Sequence, residues 1–183
     1  MQLDQVIATL SCKTAALPAK DSESMVPKNK SGLYSIFIDD TSELPEPFRN
    51  ILKFKDTSLI YIGRASSSLN KRLVLQDLRR PNSSTFFRGI GAVLGFTPQI
   101  GSLIGRRNQN NYFFSNSDTS SIIEWIDEHL YVKWIVLSQT EIRLFEPACI
   151  RQLRPILNTV YNPDAIQELA SLREKCRKIA QQI

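Results

Sequence analysis

Two stretches, SGLYSIFI at residues 31–38 and TSLIYIGR at residues 57–64, decide how this chain is read. Each is rich in β-branched and aromatic residues and bounded by polar turn residues, the pattern of a short strand. The intervening ELPEPFRNILKF, residues 43–54, predicts a short helical turn at most. A third strand is expected at YVKWIVL, residues 131–137.

Working outward, the rest of the chain reads as helices and loops. Val6, Ile7, Leu10 and Ala15 fall near helical spacing and predict a helix within residues 1–16, while residues 18–30 read as loop. Ser66, Ser67 and Ser68 offer an N-cap for a helix that Pro81 stops after Arg80. Leu69, Leu73 and Leu78 would face the core, with Arg72, Gln76 and Arg79 or Arg80 as a polar stripe. Ser83 or Ser84 caps a second helix to about Leu94, and residues 119–130 form a third. A helix over about 142–154 ends at Pro155. Asn162-Pro163-Asp164 then opens a C-terminal helix over 164–182, with Ile166, Leu169, Leu172, Cys176 and Ile179 on one face. The fold class that follows is α+β, a small antiparallel sheet of about three strands flanked by helices.

The composition sets bounds on this picture. With 183 residues, 42% apolar and 22% charged, the chain is expected to form a single domain over 1–183. No stretch approaches the ~18 apolar residues of a spanning helix. MQLDQVIATLSC has no basic region ahead of its apolar residues, so a secretory signal is not expected and the reading is cytoplasmic, with no membrane partner. Cys12, Cys149 and Cys176 are odd in number and far apart, which predicts reduced, buried side chains rather than disulfides or a zinc site.

Charge is unevenly placed. Lys71, Arg72, Arg79, Arg80, Arg88, Arg106 and Arg107 share one segment with a single acid, Asp77, so a net charge of +5 overall resolves into +6 here and −1 elsewhere. Clustered cations, nearly all Arg, are the footprint of a phosphate partner. Five of the seven glycines lie in the same segment, and residues 97–111 read as an exposed loop. GIGAVLG has the spacing G-x-G-x-x-x-G and follows a helix-like STFFR, so it is not a dinucleotide loop. The segment 79–111 is therefore read as a basic insert that binds nucleic acid.

The two remaining glycines lie in Gly32-Leu33-Tyr34 and Tyr61-Ile62-Gly63. Together with Arg72, nine residues past Gly63, with Glu146 on a later helix, and with Asn158 twelve residues beyond it, they resemble the GIY-YIG nuclease family. The resemblance implies hydrolysis of DNA phosphodiesters with one divalent metal, Mg2+ or alternatively Mn2+, as in a restriction or defence nuclease. It implies that Glu146 holds the metal, since hard cations prefer oxygen ligands. Tyr34, with Tyr61 beside it, would orient or deprotonate the attacking water, and Arg64 would supply the cation that lowers a phenol's pKa from about 10. Arg72 would clamp the scissile phosphate, and Asn158 would fix geometry near the metal.

Taken singly, each of these residues has a blander role: a packed strand tyrosine, a surface acid, a solvated arginine, a turn asparagine. Lys71, Gln76, Arg79, Arg80, Arg88, Arg106 and Arg107 are the candidate nucleic-acid contacts. Duplex DNA is the expected partner, RNA the alternative, and the protein a monomer or homodimer. Two departures stand out. Gln76 occupies the position where many relatives carry a His or Tyr able to transfer a proton. Pro147 directly follows Glu146, so the helix is expected to begin or kink there. His129, the only histidine, is read as a structural or surface residue. The alternative function is a catalytically weak or inactive DNA-binding or interaction protein on the same fold.

Overall fold

A computed structural model describes residues 1–80 and 84–183. At its centre is strand β2 (Gly32–Ile38), every residue of which is buried. Because its two faces are both covered, its apolar residues run almost without alternation, and the sheet needs a helical layer on each side. Strand β3 (Leu59–Ala65) pairs with one edge of β2 and β4 (Leu130–Val136) with the other, both antiparallel. A two-residue β1 (Leu17–Pro18) adds to β4, giving the order β1-β4-β2-β3. The predicted strands thus lie within two residues of where they were expected, and the sheet has a fourth, very short one.

Tyr34, Ile36 and Ile38 face one apolar layer built on α2 (Phe48–Lys55), α3 (Thr85–Val93), α4 (Asn116–His129) and α6 (Gln167–Ala180). Leu33 and Phe37 face the other, where α1 (Leu3–Ser11) and α5 (Gln139–Leu153) supply Val6, Leu10, Ile142 and Ile150. The C-terminal stripe is mainly core, as expected, with Leu169 and Cys176 fully within the larger layer.

Several boundaries differ from the sequence reading, each for a local reason. Residues 48–55 form a full helix rather than a single turn. It ends at Asp56, which adopts a left-handed conformation (φ 48°) and donates its N–H to Leu52 and Lys53 carbonyls. Helix α5 starts at Gln139, ahead of the expected 142, because Ser138 and Glu141 form a capping box. Pro147 lies inside that helix rather than at its start. Asn162 does not cap the last helix: its amide donates to the Pro155 and Asn158 carbonyls, its oxygen accepts from Asp164 N, and α6 begins at Gln167. Cys12 is exposed, contrary to expectation, whereas Cys149 and Cys176 are buried and all three are free thiols. The expected stop at Pro81 and the candidate cap Ser83 lie outside the described residues; Ser84 does cap α3, accepting from Phe87 N at 2.8 Å.

The largest difference is in the helix after β3. Ser68 caps it, accepting from Lys71 N at 3.1 Å, but residues Asn70–Leu78 wind as a π-helix. Such stretches are rare and are frequently found at functional sites.

Candidate active site

The register of β2 and β3 sets Tyr34 opposite Gly63 and Ile36 opposite Tyr61, with a bulge between Ile36 and Phe37. Both phenol rings consequently lie on one face of the sheet, their centroids 6.5 Å apart. The Tyr34 ring lies across Gly63, where an added Cβ would come within 2.3 Å of it. A side chain at 63 and the observed tyrosine cannot coexist, which is why the glycine and the tyrosine are a matched pair. Gly32 answers the same demand against Ile135 O of β4, at 2.1 Å.

Behind the rings sits a residue the sequence reading left as a lone acid in a basic run. Asp77 is fully buried and accepts from the Tyr34 hydroxyl, from Arg72 Nη1 and from Ser84 Oγ, the last at 2.6 Å. Three donors converging on one side chain identify an ionised carboxylate. Burial pushes its pKa up, and Arg72 and the hydroxyl donors oppose that. The π-helix makes this possible. In an α-helix residues five apart are turned about 140° from one another, so Arg72 and Asp77 would face different surroundings. With i→i+5 winding they share one.

Tyr34 is itself fully enclosed, and burial together with the Asp77 charge holds its phenol far above the ordinary range. Tyr61, also raised by burial and then by Asp77, lies at the wall of an open cleft. That cleft joins two cavities of about 510 and 270 Å3 that share Tyr61, Arg64 and Glu146. Arg72, Lys71 and Gln76 line the first and Asn158 the second. Arg72 is 27% exposed, so the guanidinium that holds Asp77 also faces the cleft.

Glu146 reaches the cleft from α5 and accepts from Arg64 Nη1 at 2.9 Å. Burial raises its pKa and the Arg64 charge and hydrogen bond pull it back. Asn158 follows α5 on a turn and binds β3 like an extra strand: its amide donates to Ile62 O and its oxygen accepts from Ile62 N, both at 2.9 Å. It is buried, and its direct partners are backbone groups.

The remaining candidates scatter. Arg79 pairs with Asp127 at 2.8 Å. Arg80 is exposed, as are Arg106 and Arg107 on the loop after α3, where Arg106 lies over the Phe113 ring. Arg88 is buried in a different cavity. His129 lies near Asp39 and Glu43 and against Trp125, away from the cleft. Besides Asp77, sequence reasoning missed Ser84 as its partner and Arg173 of α6, which donates to Leu157 O beside Asn158.

Among the described residues no three potential ligands cluster as a metal cage. One carboxylate in an open cleft that also holds two arginines is nonetheless a donor set that suits magnesium, which keeps several waters and is often held by one or two carboxylates plus substrate phosphate. A family model described as a GIY-YIG catalytic domain matches residues 32–177. No curated protein and no solved structure matches the chain.

Proposed function

From the chain's membership of the GIY-YIG catalytic-domain family, which makes it an endonuclease acting on nucleic acid, we propose that it is a magnesium-dependent DNA endonuclease of the restriction or defence type, working in the reducing cytoplasm. One observation carries the reading: Tyr61, Arg64, Arg72 and Glu146, drawn from a strand, a π-helix and an α-helix, meet on a single cleft.

Glu146 is the residue to hold the metal, which when bound supplies positive charge against the developing charge on the leaving oxygen. Arg64 keeps the Glu146 carboxylate charged and aimed into the cleft. Arg72 grips the scissile phosphate through the guanidinium N–H groups that Asp77 does not occupy. Because burial keeps both phenols protonated, neither tyrosine serves as a phenolate. Tyr61 orients the attacking water with a neutral hydroxyl, and Tyr34, clamped on Asp77, sets the position of Arg72. Asn158 fixes the β3 edge beneath the metal ligand, and Lys71 and Gln76 contact the strand.

The test is plasmid nicking with MgCl2 or MnCl2 by wild type, Glu146→Gln and Arg72→Gln, alongside duplex binding and a parallel RNA substrate. Wild type is expected to nick DNA and both variants to lose at least a hundredfold in rate, with Glu146→Gln still binding duplex. A second reading, a DNA-binding protein without activity, is favoured by Gln76 and by the enclosure of Tyr34. Wild type that binds duplex and nicks nothing with either metal would establish it.

A further inference from the structure

A further cavity of about 320 Å3 lies beside the cleft, and its lining is cationic: Arg88 from α3 and Arg173 and Arg177 from α6. Three asparagines of the loop after α3, Asn108, Asn110 and Asn111, complete it, and no carboxylate lines it among the described residues. Arg88 is only 6% exposed, with its guanidinium 5.8 Å from the Tyr112 ring centre. Arg173 packs on Gly89, where an added Cβ would come within 2.6 Å of its guanidinium. One of its groups goes to Leu157 O at 3.3 Å, and its buried Nε has no hydrogen-bond partner among the described residues.

Two of these guanidiniums are drawn largely out of water. Burial pulls the Arg88 pKa down, with Tyr112 opposing and Arg173 adding to it, and burial does the same for Arg173, with Tyr112 and Tyr61 opposing and Arg177 adding to it. Arg177 is partly offset by Glu174. An anion entering the cavity relieves the repulsion between these cations. Its planar donors suit a phosphate, and the asparagine amides suit phosphate or sugar oxygens.

The position of the cavity narrows the anion further. Thr85 lines both this cavity and the part of the cleft that contains Tyr61, Glu146 and Asn158. A chain of phosphates leaving Arg72 therefore meets Arg88 and Arg173 next. We propose that this cavity is a second phosphate subsite, holding a backbone phosphate of the strand being cut a short distance from the scissile one. The inference rests on the nuclease reading above and adds to it a path: the strand runs from the π-helix across β3 to the groove between α3 and α6.

The test is duplex binding against salt concentration in EDTA, where no strand is cut, for wild type, Arg173→Gln, Arg173→Lys and Asn110→Asp, with thermal unfolding of each. Loss of one phosphate contact lowers the slope of log K against log salt by about 0.9. Arg173→Gln is expected to show that drop with about tenfold weaker binding, and Arg173→Lys to keep the slope. Asn110→Asp, at an exposed position, is expected to weaken binding about tenfold by placing a carboxylate at the rim, and it decides the matter should Arg173→Gln fail to fold. If wild type binds and nicks DNA while Arg173→Gln and Asn110→Asp keep wild-type affinity and slope, the subsite is refuted and the nuclease reading stands. If wild type neither binds nor nicks DNA, it is the nuclease reading that falls.

Discussion

Asp77 turns two residues of the site into one unit, because Tyr34 and Arg72 both donate to its carboxylate. Replacing it with alanine leaves Arg72 without its buried partner. Breaking a buried pair costs about 3–5 kcal/mol, and the partial exposure of Arg72 brings the expected loss down to roughly 2–3 kcal/mol, read by urea unfolding. Nicking by Asp77→Asn is expected to fall at least a hundredfold, because an amide cannot accept from all three donors. The two tyrosines are separated by their surroundings. Tyr61→Phe removes the hydroxyl at the cleft wall and is expected to lower the nicking rate by 10²- to 10³-fold, whereas Tyr34→Phe should cost under tenfold. A larger loss for Tyr34→Phe than for Tyr61→Phe in single-turnover nicking would put Tyr34, not Tyr61, against the water. In the sequence, the two tyrosines, Arg72 and Glu146 were identifiable through the resemblance to the GIY-YIG pattern. Asp77 was not, because an α-helical period turns it away from Arg72.

The elements differ in how far their residues announced them. β2, β3 and β4 were legible because strand composition is local, and α5 carried a capping box in Ser138-Gln-Thr-Glu141 that marks its true start. The π-helix had only a faint mark: Leu73 and Leu78 are five apart, a spacing that would split them between two faces of an α-helix, and the i→i+5 winding that brings Asp77 beside Arg72 also keeps both leucines in the core. Asn162-Pro163-Asp164 had the form of a helix start, yet a carbonyl-rich turn around Pro155 and Asn158 took up the asparagine instead. Asn158 itself joins two elements. Asn158→Ala orphans both backbone groups of buried Ile62 at about 1–3 kcal/mol each, so a loss of about 2–4 kcal/mol is expected in chemical denaturation. A loss below 0.5 kcal/mol would mean that Asn158 does not hold β3.

Across the whole molecule, burial keeps Tyr34, Tyr61 and Tyr112 protonated, each raised above the ordinary tyrosine value. A folded-state pKa above the unfolded one means that the folded protein binds more protons at alkaline pH, so stability falls as pH rises. These tyrosines stabilise fully below about pH 10, the unfolded value, and their contribution is lost progressively above it. Denaturation midpoints measured from pH 8 to 11.5 should therefore drop beyond pH 10, with a shallower drop for Tyr61→Phe; parallel curves for the two proteins would contradict the burial of this hydroxyl. On the same scale, the basic segment of the sequence proves to be a neighbourhood only along the chain. Lys71 and Arg72 reach the cleft, Arg79 meets Asp127, Arg88 joins Arg173 of the last helix, and Arg106 and Arg107 lie on an exposed loop. By itself the sequence determined the α+β class and the strand pair, because strand propensity acts over a few residues, and its resemblance to the GIY-YIG pattern picked out the ordered set from Tyr34 to Asn158. Only the tertiary structure decided which tyrosine meets the cleft, which acid holds Arg72 and which arginines face a common cavity, because burial, winding and long-range packing depend on residues far apart in the chain.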